Sequence, residues 1–434
     1  MTLSTQIVWN TIAQVLGKSF STVLGVVITI LLTRYLGPAG YGTLTFVLVF
    51  VTMFGTLADW GLTLITIREA ARNAKEAAEI VGNVLVIRLV LAFLAALVAV
   101  IAINFLPYSP DIRFLTGVGA VMLIALSIKT SFQIIFNVKL KMQNWAVSEI
   151  AANGLTLLLV LGIIFQKGSL LQVILAYLAG NTLAAIVAGF LAFRLIPLRF
   201  SLVKKSTRFL LLEALPMGSI LVLFTVYNRI DTVILSLDKG NTAVGLYGAA
   251  YRIYEVLVLG AAYFANSILP LISLLAREDR EKMKLIFRQA FVVLFLMGAG
   301  VAVVNFLFAP IWIAILAGPA FAGSVTALRI LSLALIVSYF NHLNGYTLIA
   351  LGRQWYSFYI GIVALVINVA LNMIFIPIFS YNAAAFITFL TEGIVVLLSL
   401  VLIRRILGVR PKLGDVFPVT RDLILKKGQI FNVA

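Results

Sequence analysis

Long apolar segments, separated by short turns of polar, charged or glycine-rich residues, run along almost the whole chain. Each segment is close to the roughly 20 residues that a helix needs to cross the hydrocarbon core of a bilayer. The pattern therefore predicts an all-α polytopic membrane protein with about twelve transmembrane helices. The predicted spans lie near residues 9–33, 43–67, 81–106, 115–137, 145–165, 170–193, 210–236, 244–272, 288–316, 325–351, 356–378 and 383–403.

A helical hairpin near the start of the chain has a weaker copy in the second half. The first joins two apolar segments through the turn at 36–40, and the second lies within 230–254. The pair Tyr41-Gly42 that opens the second helix of the first hairpin recurs as Tyr247-Gly248. We therefore predict two six-helix lobes, at residues 1–200 and 201–405, followed by a cytoplasmic tail at 406–434. Parallel repeats of this kind place a transport site at their interface.

Lysine and arginine are distributed unequally between the two sets of loops. The loops after the even-numbered spans, together with the tail, carry most of them, and the other loops carry few. Because cytoplasmic loops are enriched in these residues, the bias predicts that both termini are cytoplasmic. We expect a multi-pass protein of the cytoplasmic membrane.

Composition supports lipid as the solvent of this chain and excludes several kinds of site. Hydrophobic residues make up 62% of the sequence and charged residues 11%, whereas soluble domains carry about 25% charged residues. With no cysteine and a single histidine, His342, neither a disulfide framework nor a metal site is expected, and no cofactor is predicted. The net charge of +17 is explained by basic cytoplasmic loops, so nucleic acid is not an expected partner.

Charged side chains inside the predicted spans are the candidate functional residues. Each costs about 2.5–3.5 kcal/mol at the centre of a membrane helix on insertion scales, so it should face a partner or a wet cavity. From the helix rise, three in the first lobe share one depth, and four in the second lobe lie at similar depth on two antiparallel helices. One further acid lies midway along the last span. The residues are Lys18, Asp59 and Arg88, then Arg229, Asp231, Arg252 and Glu255, and finally Glu392.

Structural ion pairs are the alternative explanation of these charges. The pairs would be Lys18 with Asp59, Arg229 with Asp231, and Arg252 with Glu255. Four more charges lie nearer to helix ends, where they are expected to be structural or to extend towards the interface. These are Lys129, Glu149, Glu213 and Arg329.

The first hairpin resembles the opening of the polysaccharide (O-antigen type) flippases, a family of the multidrug, oligosaccharidyl-lipid and polysaccharide exporter superfamily. The resemblance implies two six-helix lobes around a central cavity. It also implies alternating-access export of a polyprenyl-diphosphate-linked oligosaccharide, without enzymatic activity. Membrane lipids, a polysaccharide polymerase and glycosyltransferases are the further partners it suggests. The motif comprises Leu31, Arg34, Leu36, Gly37, Pro38, Tyr41 and Gly42, then Gly61 and Leu62, then Arg68 and Glu69.

The intramembrane charges suit such a substrate, because arginine and lysine neutralise phosphate groups in a low-dielectric cavity. On this hypothesis, Arg229 and Arg252 bind the anionic headgroup in one lobe, and Lys18 and Arg88 bind it in the other. Asp231 and Glu255 would orient the arginines. Asp59 and Glu392 are the candidates for ion coupling. The sequence has no P-loop, so direct use of ATP is not expected.

Rival functions remain open. A cation-coupled multidrug exporter of the same superfamily would need an acid-centred cavity, whereas the basic excess favours an anionic substrate. A lipid II-type flippase is a second rival, although the chain lacks the extra pair of spans of that branch. A membrane-bound polymerase or glycosyltransferase would need a large outer loop, and every predicted outer loop is short. A purely structural lipid-interacting protein would leave the intramembrane charges unexplained.

Overall fold

The computed structural model describes residues 3–73, 76–197 and 204–409, and within those ranges the regular structure is helical. The described ranges contain eleven α-helices and one 3₁₀ turn, Pro319–Phe321. The helices are α1 Leu3–Asp59, α2 Leu62–Arg72, α3 Ala77–Phe105, α4 Pro110–Ala120, α5 Met122–Val138, α6 Met142–Phe165, α7 Leu170–Phe193, α8 Lys204–Glu278, α9 Arg280–Leu316, α10 Ser324–Ala350 and α11 Gln354–Leu407.

Nine helical stretches in the described ranges are long and apolar enough to cross a membrane. The predicted fold class, an all-α polytopic membrane protein, is therefore confirmed. Three stretches contain a residue with non-helical backbone angles, namely Gly37 in α1, Gly240 in α8 and Ser380 in α11. All three lie in turns that the sequence predicts between consecutive spans. The number of membrane crossings, the position of the termini and a central cavity stay predictions.

The second predicted span, 43–67, contains a helix break after Asp59. Trp60 and Gly61 both have left-handed backbone angles, with φ of 43° and 73°. The chain then restarts as the short helix α2. Glycine adopts such angles readily and marks the break in the sequence, whereas a left-handed tryptophan is costly.

Two further boundaries differ from the prediction. The fourth predicted span, 115–137, is divided into α4 and α5 at Val121. α9 begins at Arg280 rather than near residue 288, because the Asp279 side chain accepts the backbone N–H groups of Glu281 and Lys282, each at 3.0 Å. Such a cap satisfies donors that the first turn of a helix leaves free.

Contacts between residues divide the chain into two compact units. Unit 1 comprises Met1–Arg229 and Gly240–Gly245, and unit 2 comprises Ile230–Lys239 and Leu246–Ala434. The boundary predicted between residues 200 and 201, like most of the predicted tail at 406–434, lies outside the described residues. The lobes at 1–200 and 201–405 therefore stay a prediction.

In unit 1, the first part of α8 lies antiparallel to the end of α1 and to α2. Thr56 Oγ1 donates to Thr225 Oγ1 at 3.0 Å, and Arg68 Nη2 lies 2.9 Å from Glu213 Oε2. Between these contacts, a Cβ atom at Gly61 would lie 2.7 Å from the backbone nitrogen of Gly218. We call this contact line the α1–α8 seam.

The seam continues to the turn that follows Gly240, where the two hairpin turns meet. A Cβ atom at Gly42 would clash with the carbonyl oxygen of Asn241, and one at Gly245 would clash with that of Pro38. The Asn241 side chain also donates to Thr43 Oγ1 at 2.9 Å. The glycines therefore permit backbone-to-backbone contact, which is how small residues bring membrane helices together.

In unit 2, α10 packs between α9 and α11 through apolar side chains and a few amide–hydroxyl hydrogen bonds. Asn305 on α9 donates to Ser332 on α10 at 2.9 Å, and Asn344 on α10 donates to Ser399 on α11 at 2.8 Å. Leu331 and Leu335 of α10 are fully buried. These contacts hold α10 between α9 and α11.

We predict that Gly42→Ala destabilises the protein by about 1–3 kcal/mol, because the added methyl group overpacks the seam. Thermal unfolding in detergent, followed by size exclusion, measures the change. Gly154→Ala is the matched control, since no atom outside its own helix lies within 4 Å of the added group and alanine is the better helix former. A Gly42→Ala protein as stable as Gly154→Ala would contradict the close contact.

Candidate functional site

A buried guanidinium, that of Arg88, is the centre of the candidate site in unit 1. Arg88 lies on α3 and is 1% exposed. Its Nη2 forms an ion pair with Oδ1 of Asp59, the last residue of α1. The Asp59 side chain is 33% exposed, so the carboxylate is the accessible member of the pair.

Hydroxyl groups complete the surroundings of this arginine. Nη2 donates to Thr63 Oγ1 at 2.5 Å, and Nη1 donates to Thr130 Oγ1 at 3.3 Å and to Ser131 Oγ at 3.5 Å. Nε is buried without a hydrogen-bond partner among the described residues. The arrangement holds a cation in an apolar unit with one anionic and several neutral partners, and neutral partners leave part of its charge uncompensated.

The break after Asp59 is what places its carboxylate at this point. Asp59 Oδ1 accepts the hydroxyl of Thr63 at 2.8 Å and the backbone N–H of Thr63 at 3.3 Å. It therefore satisfies a free donor in the first turn of α2. One carboxylate thus joins the end of α1, the start of α2 and the middle of α3.

Lys18 does not belong to this cluster in the structure. Its side chain is exposed on α1, and Asp59 is paired with Arg88. The predicted structural pair of Lys18 with Asp59 is therefore replaced by a pair of Arg88 with Asp59. Residue depth along the helices was sufficient to group these residues, but it does not fix which way each one faces.

A second buried pair in unit 1 joins α5 and α6. Lys129 Nζ lies 2.7 Å from Glu149 Oε1 and donates to Asn181 Oδ1 of α7 at 3.2 Å. The ammonium group also lies 5.4 Å from the centroid of the Trp145 ring. The sequence leaves Lys129 either as a structural residue or as one that extends towards the interface. Its side chain is 9% exposed and has three partners, which fits the structural role.

In unit 2, Asp231 on α8 is buried and is held by a tyrosine. The Tyr247 hydroxyl donates to Asp231 Oδ2 at 2.5 Å, and the same hydroxyl lies 3.3 Å from Thr388 Oγ1 of α11. The Thr232 N–H donates to Asp231 Oδ1 at 2.6 Å. This tyrosine belongs to the second copy of the hairpin motif, so the motif supplies a partner to a charge within the span.

Arg252 and Glu255 form the predicted pair on α8. Arg252 Nη1 lies 3.5 Å from Glu255 Oε2, and the two side chains are 37% and 28% exposed. Tyr254 lies between them in sequence, and its hydroxyl group is hydrogen-bonded to Ser338 of α10 at 2.6 Å. Arg252 is therefore accessible, while its helix is fixed to α10.

Glu392 and Arg229 are the remaining candidates. Glu392 on α11 is partly buried, and its carboxylate accepts the amide of Asn341 from α10. Arg229, on α8, is also partly buried.

Sequence reasoning missed the hydroxyl groups around Arg88 and the tyrosine at Asp231. Thr63, Thr130 and Ser131 carry no charge, and nothing in their spacing distinguishes them from other hydroxyl residues in apolar helices. Tyr247 was visible as part of the repeated motif. Asp231 and Tyr247 lie at similar distances before and after the turn at Gly240, so they come to similar depth on the two arms of the hairpin. This spacing is the signal from which the contact could have been found.

The chain matches the models of two known protein families. The family model described as polysaccharide biosynthesis protein matches residues 7–276, and a second model, MatE, matches residues 216–374. The first match covers more than half of the chain. The protein belongs to the polysaccharide biosynthesis protein family. The resemblance that the opening hairpin indicated is thereby confirmed.

A curated relative of this family member is the probable flippase AglR of Haloferax volcanii. It is 31% identical over 173 residues, which cover 38% of this chain and 35% of the relative. The alignment thus spans about a third of that protein's own length.

Solved structures show the same fold at low sequence identity. An inward-facing multidrug resistance MATE transporter of the MOP superfamily is similar with a TM-score of 0.75 and 16% identity, over 89% of this chain and 94% of the other. The lipid II flippase MurJ in an inward closed conformation is similar with a TM-score of 0.76 and 16% identity, over 95% and 91%. A MOP superfamily transporter from Pyrococcus furiosus has a TM-score of 0.66 and 16% identity, over 93% and 95%.

We predict that Lys129→Met destabilises this family member by about 3–5 kcal/mol, because it leaves the Glu149 carboxylate without its cation in an apolar environment. The double variant Lys129→Met with Glu149→Gln should recover most of that loss. Thermal unfolding in detergent measures both, with the exposed Lys167→Met as the control. A single variant as stable as the control would show that the pair is not the support of this helix junction.

Proposed function

We propose that the protein is a flippase that moves a polyprenyl-diphosphate-linked oligosaccharide across the cytoplasmic membrane by alternating access. The observation that carries the proposal is the family match over residues 7–276. Cationic side chains inside an apolar, all-helical unit add the chemistry that an anionic lipid headgroup needs. The protein supplies binding and passage, and it performs no covalent step.

In unit 1, Arg88 is the residue best suited to the diphosphate. Its Nη atoms are held by one carboxylate and by neutral hydroxyl groups, and its Nε is free of partners among the described residues. A phosphate oxygen can replace the partly exposed Asp59 carboxylate and accept charge-assisted hydrogen bonds from the same guanidinium. In this proposal Lys18, exposed on α1, adds a second positive charge in the same unit.

In unit 2, Arg252 is the accessible arginine, and Glu255 orients it across 3.5 Å. Arg229 is the second cation that we assign to the headgroup. Asp231 acts as a positioning residue, because it is buried and is held by Tyr247. A planar guanidinium binds two phosphate oxygens at once, which a lysine ammonium does not.

Coupling to an ion is assigned to Asp59 and Glu392. Asp59 changes partner when a headgroup binds Arg88, so its charge state and substrate binding are linked in the proposal. Glu392 lies within α11 beside Asn341. A polysaccharide polymerase and glycosyltransferases complete the proposed pathway as partners that consume and supply the lipid-linked glycan.

Two other functions share this fold, a cation-coupled multidrug exporter and a lipid II-type flippase. Similarity at 16% identity to structures of both kinds supports the fold alone. The basic character of the candidate groups favours an anionic substrate over an organic cation. The two flippase functions differ in the glycan, which the experiment below varies.

We expect purified protein in proteoliposomes to move polyprenyl-diphosphate-linked oligosaccharide between leaflets. Arg252→Ala and Arg229→Ala should each lower the rate about tenfold or more, since a hydrogen bond to a charged group contributes about 1.5–3 kcal/mol. Arg252→Lys should recover only part of the rate, because the planar fork is lost. Lys282→Ala, at an exposed position in the first turn of α9, is the matched control.

Two outcomes would overturn parts of this proposal. If no supplied lipid-linked glycan moves but organic cations leave the vesicles in exchange for protons or sodium, the protein is a drug exporter. If lipid II moves and other lipid-linked glycans do not, it is a lipid II flippase. Movement that is equal in wild type, Arg252→Ala and Lys282→Ala would keep the function and remove Arg252 from the site.

A further inference from the structure

An apolar groove of about 360 Å³ lies in unit 1 where three helical segments meet. Leu57 and Trp60 come from the end of α1, Leu91 and Leu94 come from α3, and Leu211 and Leu212 come from the first part of α8. Every one of these side chains is aliphatic or aromatic. The groove therefore suits a hydrocarbon rather than a sugar or an ion.

The groove is open at the surface of unit 1. Leu94 of α3 is 47% exposed and Leu212 of α8 is 59% exposed. Both lie on helices that are long and apolar enough to cross a membrane. The side chains at the opening are therefore apolar, as a site for a hydrocarbon chain requires.

The Arg88–Asp59 ion pair is adjacent to residues that line the groove. Asp59 directly precedes Trp60, and Arg88 lies three residues before Leu91 on α3, a rise of about 4.5 Å along the helix. A buried guanidinium with a partly exposed carboxylate partner therefore lies next to the apolar lining. A molecule with a long hydrocarbon chain directly attached to a diphosphate has the matching order of apolar and anionic parts.

Trp60 is held in the groove wall by a costly backbone conformation. Its φ is 43°, a left-handed value that large side chains rarely adopt. Trp60 also packs tightly against the seam, because a Cβ atom on Gly218 would lie 2.8 Å from the Trp60 carbonyl oxygen. Residues kept in such conformations are concentrated at ligand-binding and active sites. The left-handed backbone thus sets the position of the indole ring in the groove wall.

A second apolar groove in unit 1 provides the comparison. It measures about 450 Å³ and is lined by α5 and α7 residues that include Phe132, Ile186 and Phe190. Two cations lie beside it. Lys129 contacts Glu149 and Asn181, and the Arg194 guanidinium lies 4.1 Å from the centroid of the Phe190 ring. The second groove therefore serves as the comparison site in the experiment below.

We infer that the groove formed by α1, α3 and α8 binds the isoprenoid chain of a polyprenyl-diphosphate carrier, with the diphosphate at Arg88. This inference rests on the proposed function and adds the binding site of the lipid part. The contact would fix the carrier by its first isoprene units, leaving the glycan free to vary. Recognition of the carrier would then not depend on the sugar.

Because the chain contains no cysteine, single-cysteine variants test the site without background labelling. Leu94→Cys and Leu212→Cys place a thiol in the groove. Leu97→Cys places one on the exposed face of α3 outside it, and Ile186→Cys places one in the second groove. The rate of alkylation by a membrane-permeant maleimide is measured in proteoliposomes with added undecaprenyl diphosphate or with added phosphatidylglycerol.

At a carrier concentration about ten times Kd, alkylation of Leu94→Cys and Leu212→Cys should slow about tenfold, and alkylation of Leu97→Cys and Ile186→Cys should not change. Phosphatidylglycerol should give no such protection. Equal protection by phosphatidylglycerol would show that ordinary lipid fills the groove and would overturn the inference. Equal slowing at all four positions would overturn it too.

Glycan translocation measured in the same vesicles separates the two proposals. Translocation by wild type without carrier protection of the groove would refute the groove and keep the flippase function. Protection of the groove without translocation of any glycan would keep the carrier site and refute the flippase function. Arg88→Gln should reduce protection at Leu94→Cys, and unchanged protection would remove the diphosphate from Arg88.

Discussion

Backbone contact along the α1–α8 seam is the constraint on which the described features of unit 1 depend. Glycines at 42, 61, 218 and 245 remove side chains where two segments meet, so helices approach more closely than leucine or phenylalanine would allow. The left-handed turn at Trp60 and Gly61 lies at this close approach, and it ends α1 at Asp59. The turn places one carboxylate, begins α2 and puts Trp60 in one wall of the apolar groove.

Charge inside an apolar unit imposes the second constraint. Arg88 and Lys129 are both buried cations, but the structure treats them differently. Lys129 is enclosed by a carboxylate, an amide and an indole ring, which is the pattern of a pair that holds helices together. Arg88 depends on a carboxylate that also serves α2, and on hydroxyls that serve their own helices. A ligand can replace partners of a cation more easily when those partners also make other hydrogen bonds. This difference separates the candidate site at Arg88 from the structural pair at Lys129.

The helices and their breaks were largely predictable, and the contacts among charges were only partly so. Gly37 with Pro38, and Gly240, are local signals, because one residue favours left-handed angles and the other lacks an N–H group. Gly61 is a similar signal for the break after Asp59, but the close contact with α8 joins residues far apart in sequence and has no local sign. For the same reason, depth along the helices grouped Asp59, Lys18 and Arg88, but only packing decides that Arg88 turns inwards and Lys18 outwards. The Arg252–Glu255 pair, three residues apart on one helix, needed no tertiary information.

Asp59 Oδ1 has two duties at once, as the anion of Arg88 and as an acceptor in the first turn of α2. A ligand that displaces Asp59 from Arg88 would therefore act on an oxygen atom that also accepts from the first turn of α2, the helix that carries Arg68. Arg68 in turn holds Glu213 on α8 at 2.9 Å. One oxygen atom therefore connects a buried cation with the helix that is ion-paired to α8. The position of α2 is thus linked to whatever the Arg88 guanidinium binds.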